Sequence, residues 1–460
     1  MRSRPAPAPA PAPISRRPLA ALALLAVLAL TLGGCTSPSP QSPEVPSPSV
    51  TTGSQVSPTV TGPPSPSPTP SPAATPAPTS LEIAPPRPRA TSLVQGVYPR
   101  VRSRCVNHSR ATLTGRYPGT LTIERAEDGT LSLTARISFE DYLEGIAEVP
   151  PSWPAAALQA QAIAARSYAL ASTGWTGEGE TLDEPICSTT SCQVYRGIPI
   201  APSPDIGRWY RAFRATRGQI LLYEGRPATT FYFSTSNGQT YGNEDVFGGD
   251  PLPYLRPVTE TDDGASSTAH WSVDVGFADL ARFLHAAGEW PGSKAITQVG
   301  LDGDTVTVSG PGGSRSMDLG TFRDAVNAWG PCLAPDRYPA GGLPTTIPSR
   351  WLTVSSGSDG VTVTGRGWGH GVGMVQWGAY GKARRGLSAS DILSFYYGGF
   401  RPETFPEPGL IDVQIASGLS TFRIRPSAPG TTVNGEPLGG RRIVVTGGDE
   451  LVVGATRGTT

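Results

Sequence analysis

Between Thr120 and Ile137 apolar residues recur at every second position: Leu121 and Ile123 before the pair Asp128-Gly129, Leu131 and Leu133 after it. Period-two alternation on both sides of an Asp-Gly turn predicts a β-hairpin. Further on, the period changes. Ser152-Trp153-Pro154 leads into AAALQAQAIAARSYALAS, a run dominated by the strongest helix former, with a proline where the first turn tolerates one. This predicts a helix with Leu158, Ala162, Ala165 and Ala169 on one stripe and Gln159, Ile163, Arg166 and Leu170 on its neighbour. Arg166 thus shares a face with apolar residues, a placement that suits a guanidinium held by a carboxylate or by substrate.

The run from Gly218 to Tyr241 reads as two strands around Glu224-Gly225, the second ending in a small polar cluster from Ser234 to Gly238. Residues 265–330 mix a helical stretch (Phe277 to Ala287), a hairpin around Asp302-Gly303 and a second helix (Gly320 to Trp329). After Arg401-Pro402 the segments IDVQIASG, STFRIRP and RRIVVTGGDELVVG read as short strands. The expected fold class is α+β: one large mixed α/β domain over residues 92–402 and a small all-β appendage over 403–460.

Composition changes this picture at the N-terminus. The chain holds 55 Gly and 49 Pro in 460 residues, with only 16% charged, so part of it is not globular. Arg2, Arg4, Arg16 and Arg17 precede an uncharged run from Leu19 to Leu32, which ends in Gly33-Gly34-Cys35. Such a run is too short to span a bilayer and suits a signal peptide over residues 1–34. Small residues before Cys35 fit lipoprotein processing, with a lipid on Cys35 holding the chain to the outer face of the membrane; ordinary secretion is the alternative. Residues 36–80 contain 14 Pro, 11 Ser and 8 Thr and neither Lys, Arg nor aromatic residues. That composition cannot offset chain entropy by burial, so residues 35–91 are expected to be a disordered tether.

The balance of 37 basic against 37 acidic residues exerts no general pull toward nucleic acid, and none is expected as a partner. The remaining cysteines are Cys105, Cys187, Cys192 and Cys332. In an oxidising compartment Cys187 and Cys192 most simply close a short loop, leaving Cys105 for Cys332; a metal site on the two close thiolates is the competing reading. No His-Glu-x-x-His, Gly-x-Ser-x-Gly, Walker or Rossmann pattern is present, and no cofactor is expected.

Two segments carry candidate chemistry. In GIAEVPPSWP, Glu148 sits among apolar neighbours that would raise its pKa toward that of a general acid; alternatively it is a surface carboxylate favoured by the positive end of the following helix. GRGWGHGVGMVQWGAYGKARRG places six glycines from Gly365 to Gly378 around Trp368, His370, Gln376 and Trp377. So many glycines imply a backbone that bends tightly or approaches a ligand closely. His370 either meets substrate or is a buried imidazole satisfied by backbone.

Five ordered blocks over residues 95–400 resemble the family of stage II sporulation protein D and the amidase enhancers of bacterial cell walls: ISFEDYLEGIAEVPPSWPAAALQAQAIAARSYALAS, CQVYRG, TRGQILLYEGRPATTFYFSTSNGQT, PYLRPV and the glycine-rich block continued to GGF. The resemblance implies a lytic transglycosylase acting on peptidoglycan glycan strands, with Glu148 as the catalytic acid and base. It implies that Arg166, Gln159, Tyr168, Gln193, Tyr195, Ser234, His370 and Gln376 bind substrate. Gln159 stands where a Lys is common in the family, and Ser191 where some relatives carry a zinc-binding His, so no metal is expected. The alternatives are a non-catalytic wall-binding module that stimulates a cell-wall amidase, which is then a partner, and a structural envelope lipoprotein.

Overall fold

The alternation at Thr120 to Ile137 folds as a hairpin. Strands Thr120–Arg125 and Leu131–Ser138 pair antiparallel with Ile123 opposite Leu133, and Gly129 takes φ 78° in the turn. The computed structural model describes residues 79–98, 112–179, 184–201, 203–292, 294–338, 346–438 and 442–456. The signal segment, Cys35, most of the expected tether and Cys105 lie outside the described residues. The fold is mixed α+β. A seven-stranded sheet runs in the order Glu436–Pro437, Thr432–Val433, Ser80–Ala84, Thr120–Arg125, Leu131–Ser138, Leu410–Leu419 and Ile186–Cys187. A five-stranded sheet runs Val452–Thr456, Arg442–Thr446, Thr421–Pro426, Thr91–Val97 and Thr112–Pro118. Their inward residues, among them Ile83, Leu121, Leu133, Ile137, Val413, Phe422, Ile424 and Val445, share one hydrophobic core.

Two expected boundaries need correction. The tether does not extend to residue 91, because Ser80–Ala84 is a strand between Thr120–Arg125 and Thr432–Val433, with Leu81 and Ile83 turned into the core. Arg89 also anchors the following turn, 2.7 Å from Asp141 and 3.0 Å from Glu144. Nor is the C-terminal segment an appendage. Leu410–Leu419 pairs along the whole of Leu131–Ser138, with Ile411 opposite Ile137, and Thr421–Pro426 pairs with Thr91–Val97. Each of these strands has one apolar face, and the first and last described strands bury those faces in one core.

The predicted helix spans Ala155–Ser172 (α2), after a shorter helix, Phe139–Gly145 (α1). The two-stripe picture of α2 does not hold, because the helix is buried almost all round. Leu158, Ala162, Ala169 and Leu170 meet the sheet core. Ala160, Ile163 and Ala164 meet a second cluster built from Val372, Met374, Val375, Ile392, Leu393 and Tyr396. Its alanines let helices on both sides approach closely, which a bulkier sequence would forbid.

Residues 271–363 form a further packed unit with its own core of Leu280, Phe283, Val306, Val308, Phe322, Val326 and Val363. The expected helix and hairpin are there, at Phe277–Ala286 and at Gln298–Asp302 with Thr305–Gly310; the second helix is longer than expected, Leu319–Leu333. The unit leaves and rejoins the fold through Trp271 paired with Gly365, beside the glycine-rich segment.

Candidate active site

Ser138 caps α1, its Oγ accepting from the Asp141 N–H at 3.0 Å, and the helix ends where Ile146 turns extended. The chain then lies against residues 194–196: the Ala147 N–H donates to the Val194 carbonyl at 2.9 Å and the Arg196 N–H to the Gly145 carbonyl at 3.0 Å. At the end of this short ladder the Val194 N–H donates to Glu148 Oε1 at 2.6 Å. Glu148 therefore does not cap the helix that follows. The first turn of α2 takes no side-chain cap, and Pro154 occupies the capping position.

The Glu148 side chain is held from three directions. Besides the Val194 amide, the side chains of Tyr232 and Gln376 hydrogen bond to its carboxyl group. Tyr232 is oriented from behind: Gln193 Nε2 donates to its hydroxyl oxygen at 2.9 Å, leaving the phenolic proton for Glu148. Gln193 is fixed in turn, accepting from the Tyr142 hydroxyl at 2.6 Å and donating to the Ala165 carbonyl at 3.0 Å. Gln376 Nε2 contacts Gln161 Oε1 on α2 at 3.3 Å. Burial pushes the Glu148 carboxyl above its ordinary value, while the three hydrogen bonds and the charge of Arg196 act the other way. A carboxyl group poised upward by burial, yet solvated by fixed donors in its ionised form, can give up a proton and take one back.

Glu148 opens onto a cavity of about 620 Å³ with walls that include Trp153, Tyr168, Phe231, Phe247, Trp368 and Trp377. Trp153 and Trp377 lie 5.0 Å apart between ring centres, and Tyr380 backs both. Its lining also includes the hydroxyl-bearing residues Ser234, Ser266, Ser267 and Thr268. Aromatic faces interleaved with hydroxyls suit a sugar, whose rings have apolar faces and polar edges. A second cavity, of about 530 Å³, adjoins it; Ala147, Glu148, Pro150 and Arg196 line both. Glu148 stands at the junction.

Of the two expectations for the glycines, the tightly bent backbone is the one seen. Gly367, Gly369, Gly371 and Gly373 all take positive φ, and a Cβ on Gly373 would sit 2.0 Å from the Phe231 carbonyl oxygen, one on Gly367 2.6 Å from that of Thr235. The close approach is to the backbone of residues 231–236, beside which this segment runs, and it places Trp368 and His370 on the cavity wall. His370 is the backbone-satisfied imidazole. The Val372 N–H donates to Nδ1 at 3.1 Å, so Nε2 carries the proton and donates to the Tyr232 carbonyl at 2.9 Å. Burial holds its pKa down to about 4. Because that lies below the ordinary 6.5, His370 contributes stability in full above about pH 6.5 and loses it as the pH falls toward 4. Denaturant titrations of His370→Gln should show a shallower loss of stability than the parent across that interval.

Of the residues expected at the site, Glu148, Tyr168, Ser234, His370 and Gln376 line the cavity. Gln193 lies beneath it, wholly buried, and Tyr195 is packed in the core against Tyr142 with ring centres 5.4 Å apart. Gln159 and Arg166 do not line it. Arg166 is instead bound 2.5 Å from Glu407 and donates to the carbonyls of Phe213 and Gln219, both at 3.1 Å. Gln161, Tyr232 and Arg196 were not anticipated. Gln161 lies two turns before Tyr168 on α2, so pairing that tyrosine with the polar residue one heptad earlier would have found the site-facing side of the helix. Cys187 and Cys192 form a disulfide with a Cα separation of 5.5 Å, closing the loop that carries Thr190, Ser191 and Cys192 to the cavity wall. Cys332 is disulfide-bonded as well.

Comparison with known proteins reaches the part of the site that contains Glu148. The profile of a family described as stage II sporulation protein matches residues 127–223, from the hairpin turn through Glu148, α2 and the disulfide loop. An uncharacterized protein of Brachyspira hyodysenteriae is 31% identical over 305 residues, covering 63% of this chain and 73% of that protein. The amidase enhancer of Bacillus subtilis is 29% identical over 289 residues, 55% of this chain and 38% of its own length. Stage II sporulation protein D of Bacillus subtilis is 28% identical over 288 residues, 57% of this chain and 74% of its own length.

Proposed function

The chain belongs to the family of stage II sporulation protein D and the amidase enhancers, and from that premise we propose that it is a lytic transglycosylase cleaving the glycan strands of peptidoglycan in cell-wall remodelling or sporulation. The observation that carries this reading is a single half-buried carboxyl group, raised in pKa by desolvation, that lines two cavities. The only other carboxylate lining either cavity among the described residues is Glu144, which is bound to Arg89 and Arg214. Glycoside hydrolysis needs two carboxyl groups flanking the bond; an intramolecular displacement needs one. Glu148 gives its proton to the oxygen leaving C1 of the muramic sugar. It then takes the proton of that sugar's own C6 hydroxyl as O6 closes onto C1, so that one C–O bond breaks, one forms and no water is consumed. The tyrosine and glutamine around the carboxylate stabilise its ionised interval, and the aromatic walls hold the rings.

The name of the amidase enhancer supports a second reading, a non-catalytic module that occupies glycan and stimulates a wall amidase. Lipidation of Cys35, with the chain held on the outer face of the membrane, belongs to either reading. Incubating the purified protein with peptide-free glycan strands and searching the products by mass spectrometry separates the two. Ends bearing 1,6-anhydromuramic acid are expected; strands that stay intact while an added amidase works faster would favour the module.

A further inference from the structure

The residues that hold the proposed acid follow directly on a covalent clamp. One end of the clamp, Cys187, is anchored on the seven-stranded sheet. Ile186 and Cys187 pair parallel with Val413 and Gln414, and Ser188 Oγ donates to the Ile415 carbonyl at 3.0 Å. The other end, Cys192, immediately precedes Gln193 and Val194. These two reach Glu148, Val194 by its N–H at 2.6 Å and Gln193 through the Tyr232 hydroxyl, to which it donates at 2.9 Å. The intervening residues, Ser188-Thr189-Thr190-Ser191, are all small and polar and none is buried, so packing does little to shape the loop. Its hydrogen bonds are few: the Cys192 N–H donates to the Thr189 carbonyl at 3.0 Å, the Ser191 N–H to Thr189 Oγ1 at 3.3 Å and the Tyr195 N–H to the Ser188 carbonyl at 3.1 Å. A disulfide around so short a loop removes little entropy from the unfolded chain, so global stability is a poor account of it.

We propose that the Cys187–Cys192 disulfide is a positioning element of the site: it ties Gln193 and Val194 to the sheet, and through them holds Glu148 where it can give and take its proton. This rests on the transglycosylase reading above. Each step of the path is a contact already described. The Val194 N–H and the Tyr232 hydroxyl that Gln193 orients are two of the three hydrogen-bond donors to the Glu148 carboxyl group. With the bond open, Cys192 is released from the sheet, the two donors lose their fixed place, and the acid is both less well aimed and less well solvated when ionised. The aromatic walls at Trp153, Phe231, Trp368 and Trp377 belong to other segments. Turnover should therefore depend on the bond far more than glycan binding does. The charged and titratable groups that face Glu148 are Arg196, Tyr142 and Tyr232, with Tyr168 and His370 on the cavity wall, and all are present whether the bond is closed or open.

The test compares the full chain with a variant carrying Cys187→Ser and Cys192→Ser, and with the parent opened by dithiothreitol, whose two thiols give up two electrons and close to a disulfide as the cysteines become thiols. Cys332 is disulfide-bonded too, so the reduction is repeated on Cys332→Ser, which should turn over glycan like the parent before reduction. Formation of anhydromuramic ends is expected to fall about 10- to 100-fold in the double variant and in both reduced proteins, with KM changed less than about twofold. The alkaline limb of turnover should move to higher pH, because the lost donors favour the ionised carboxyl group. Re-oxidation should restore the rate, and dithiothreitol should do nothing further to the double variant. Hydrogen exchange follows the same event without substrate: amides of residues 188–196 and 145–149 should lose protection on opening, while those of Phe277–Ala286 keep it. Parental turnover in the double variant, an unmoved alkaline limb, or unchanged exchange over 188–196 overturns the positioning role. Loss of protection throughout the chain overturns it as well, since the bond would then be a general staple. A parent that forms no anhydro ends overturns the glycan reading instead, and the exchange comparison still decides whether the bond holds the segment of Glu148.

Discussion

Glu148→Gln should fold like the parent and form anhydromuramic ends at least ~10²-fold more slowly, the usual worth of a positioned acid and base. The amide keeps an oxygen for the Val194 N–H, which now donates at 2.6 Å, and fills the same volume between Tyr232 and Gln376. It has no proton to exchange. The sign of the stability change separates catalysis from architecture. A carboxyl group raised in pKa by the fold stabilises it in full below the ordinary 4.5 and loses that contribution as the pH rises through the raised value. At pH 7 the parent therefore keeps a charge in a site that resists it, and Glu148→Gln should be as stable as the parent or more so. Near pH 4 the advantage should disappear. For the same reason parent turnover should decline on the alkaline side of the raised pKa, where the acid has lost its proton. Release of anhydro ends at the parental rate by Glu148→Gln would remove Glu148 from catalysis and favour the wall-binding module. Loss of activity together with several kcal/mol of stability would mean that Glu148 holds the ladder together instead.

Local patterns in the sequence were reliable where one segment decides its own structure. The Asp128-Gly129 hairpin, α2 and the helix from Phe277 follow from period and turn chemistry alone. Pairing between distant strands is another matter. Ile411, Val413 and Ile415 announce a strand with one buried face, but nothing within the segment says that its partner is Leu131–Ser138. The strand at Ser80–Ala84 was masked by composition: Leu81 and Ile83 alternate properly, yet they sit at the end of a stretch so rich in Pro, Ser and Thr that the whole of it reads as tether.

The site was legible in its residue types and illegible in its directions. Glu148 and the ring-bearing glycine segment were identifiable, because an apolar surround for a carboxylate and dense glycine are both unusual. Which side of α2 faces them was not. Hydrophobic periodicity finds the side of a helix that is buried, and a helix buried all round offers no contrast for it to find. The polar residues alone distinguish its sides, and they divide cleanly: Gln161 and Tyr168 turn to the site, Arg166 turns away. The glycines mislead for a similar reason. Their lack of a side chain answers to neighbouring protein, backbone at Gly367 and Gly373 and the side chains of Phe233 and Trp351 at Gly369 and Gly371, and the sequence does not distinguish that neighbour from a ligand.

Arg166 leads to the second large expected effect, on stability. Its side chain is 1% exposed, and its charge is met by Glu407, which is 24% exposed and also accepts from the Gly218 N–H at 3.1 Å. The same region joins Glu403–Thr404 to Gln219–Ile220 as a two-stranded ladder, so the pair fastens the segment leading to the C-terminal strands onto α2 and the helix Ile206–Ala215. Removing one partner of a buried pair leaves the other charge desolvated and costs about 3–5 kcal/mol. Glu407→Ala does this most directly, because the guanidinium it abandons is 1% exposed. Arg166→Met leaves the charge on Glu407, the partner with access to solvent, and fills much of the arginine's volume with an apolar chain. Its cost should be smaller, about 1–3 kcal/mol for the carbonyls of Phe213 and Gln219 that lose their donor. Denaturant unfolding should therefore rank the parent above Arg166→Met and Arg166→Met above Glu407→Ala, with turnover per folded molecule preserved in both variants. An Arg166→Met protein of parental stability that no longer turned over glycan would return this arginine to the substrate groove; the reverse ranking of the two variants would mean that the ion pair contributes less than the packing of its methylenes.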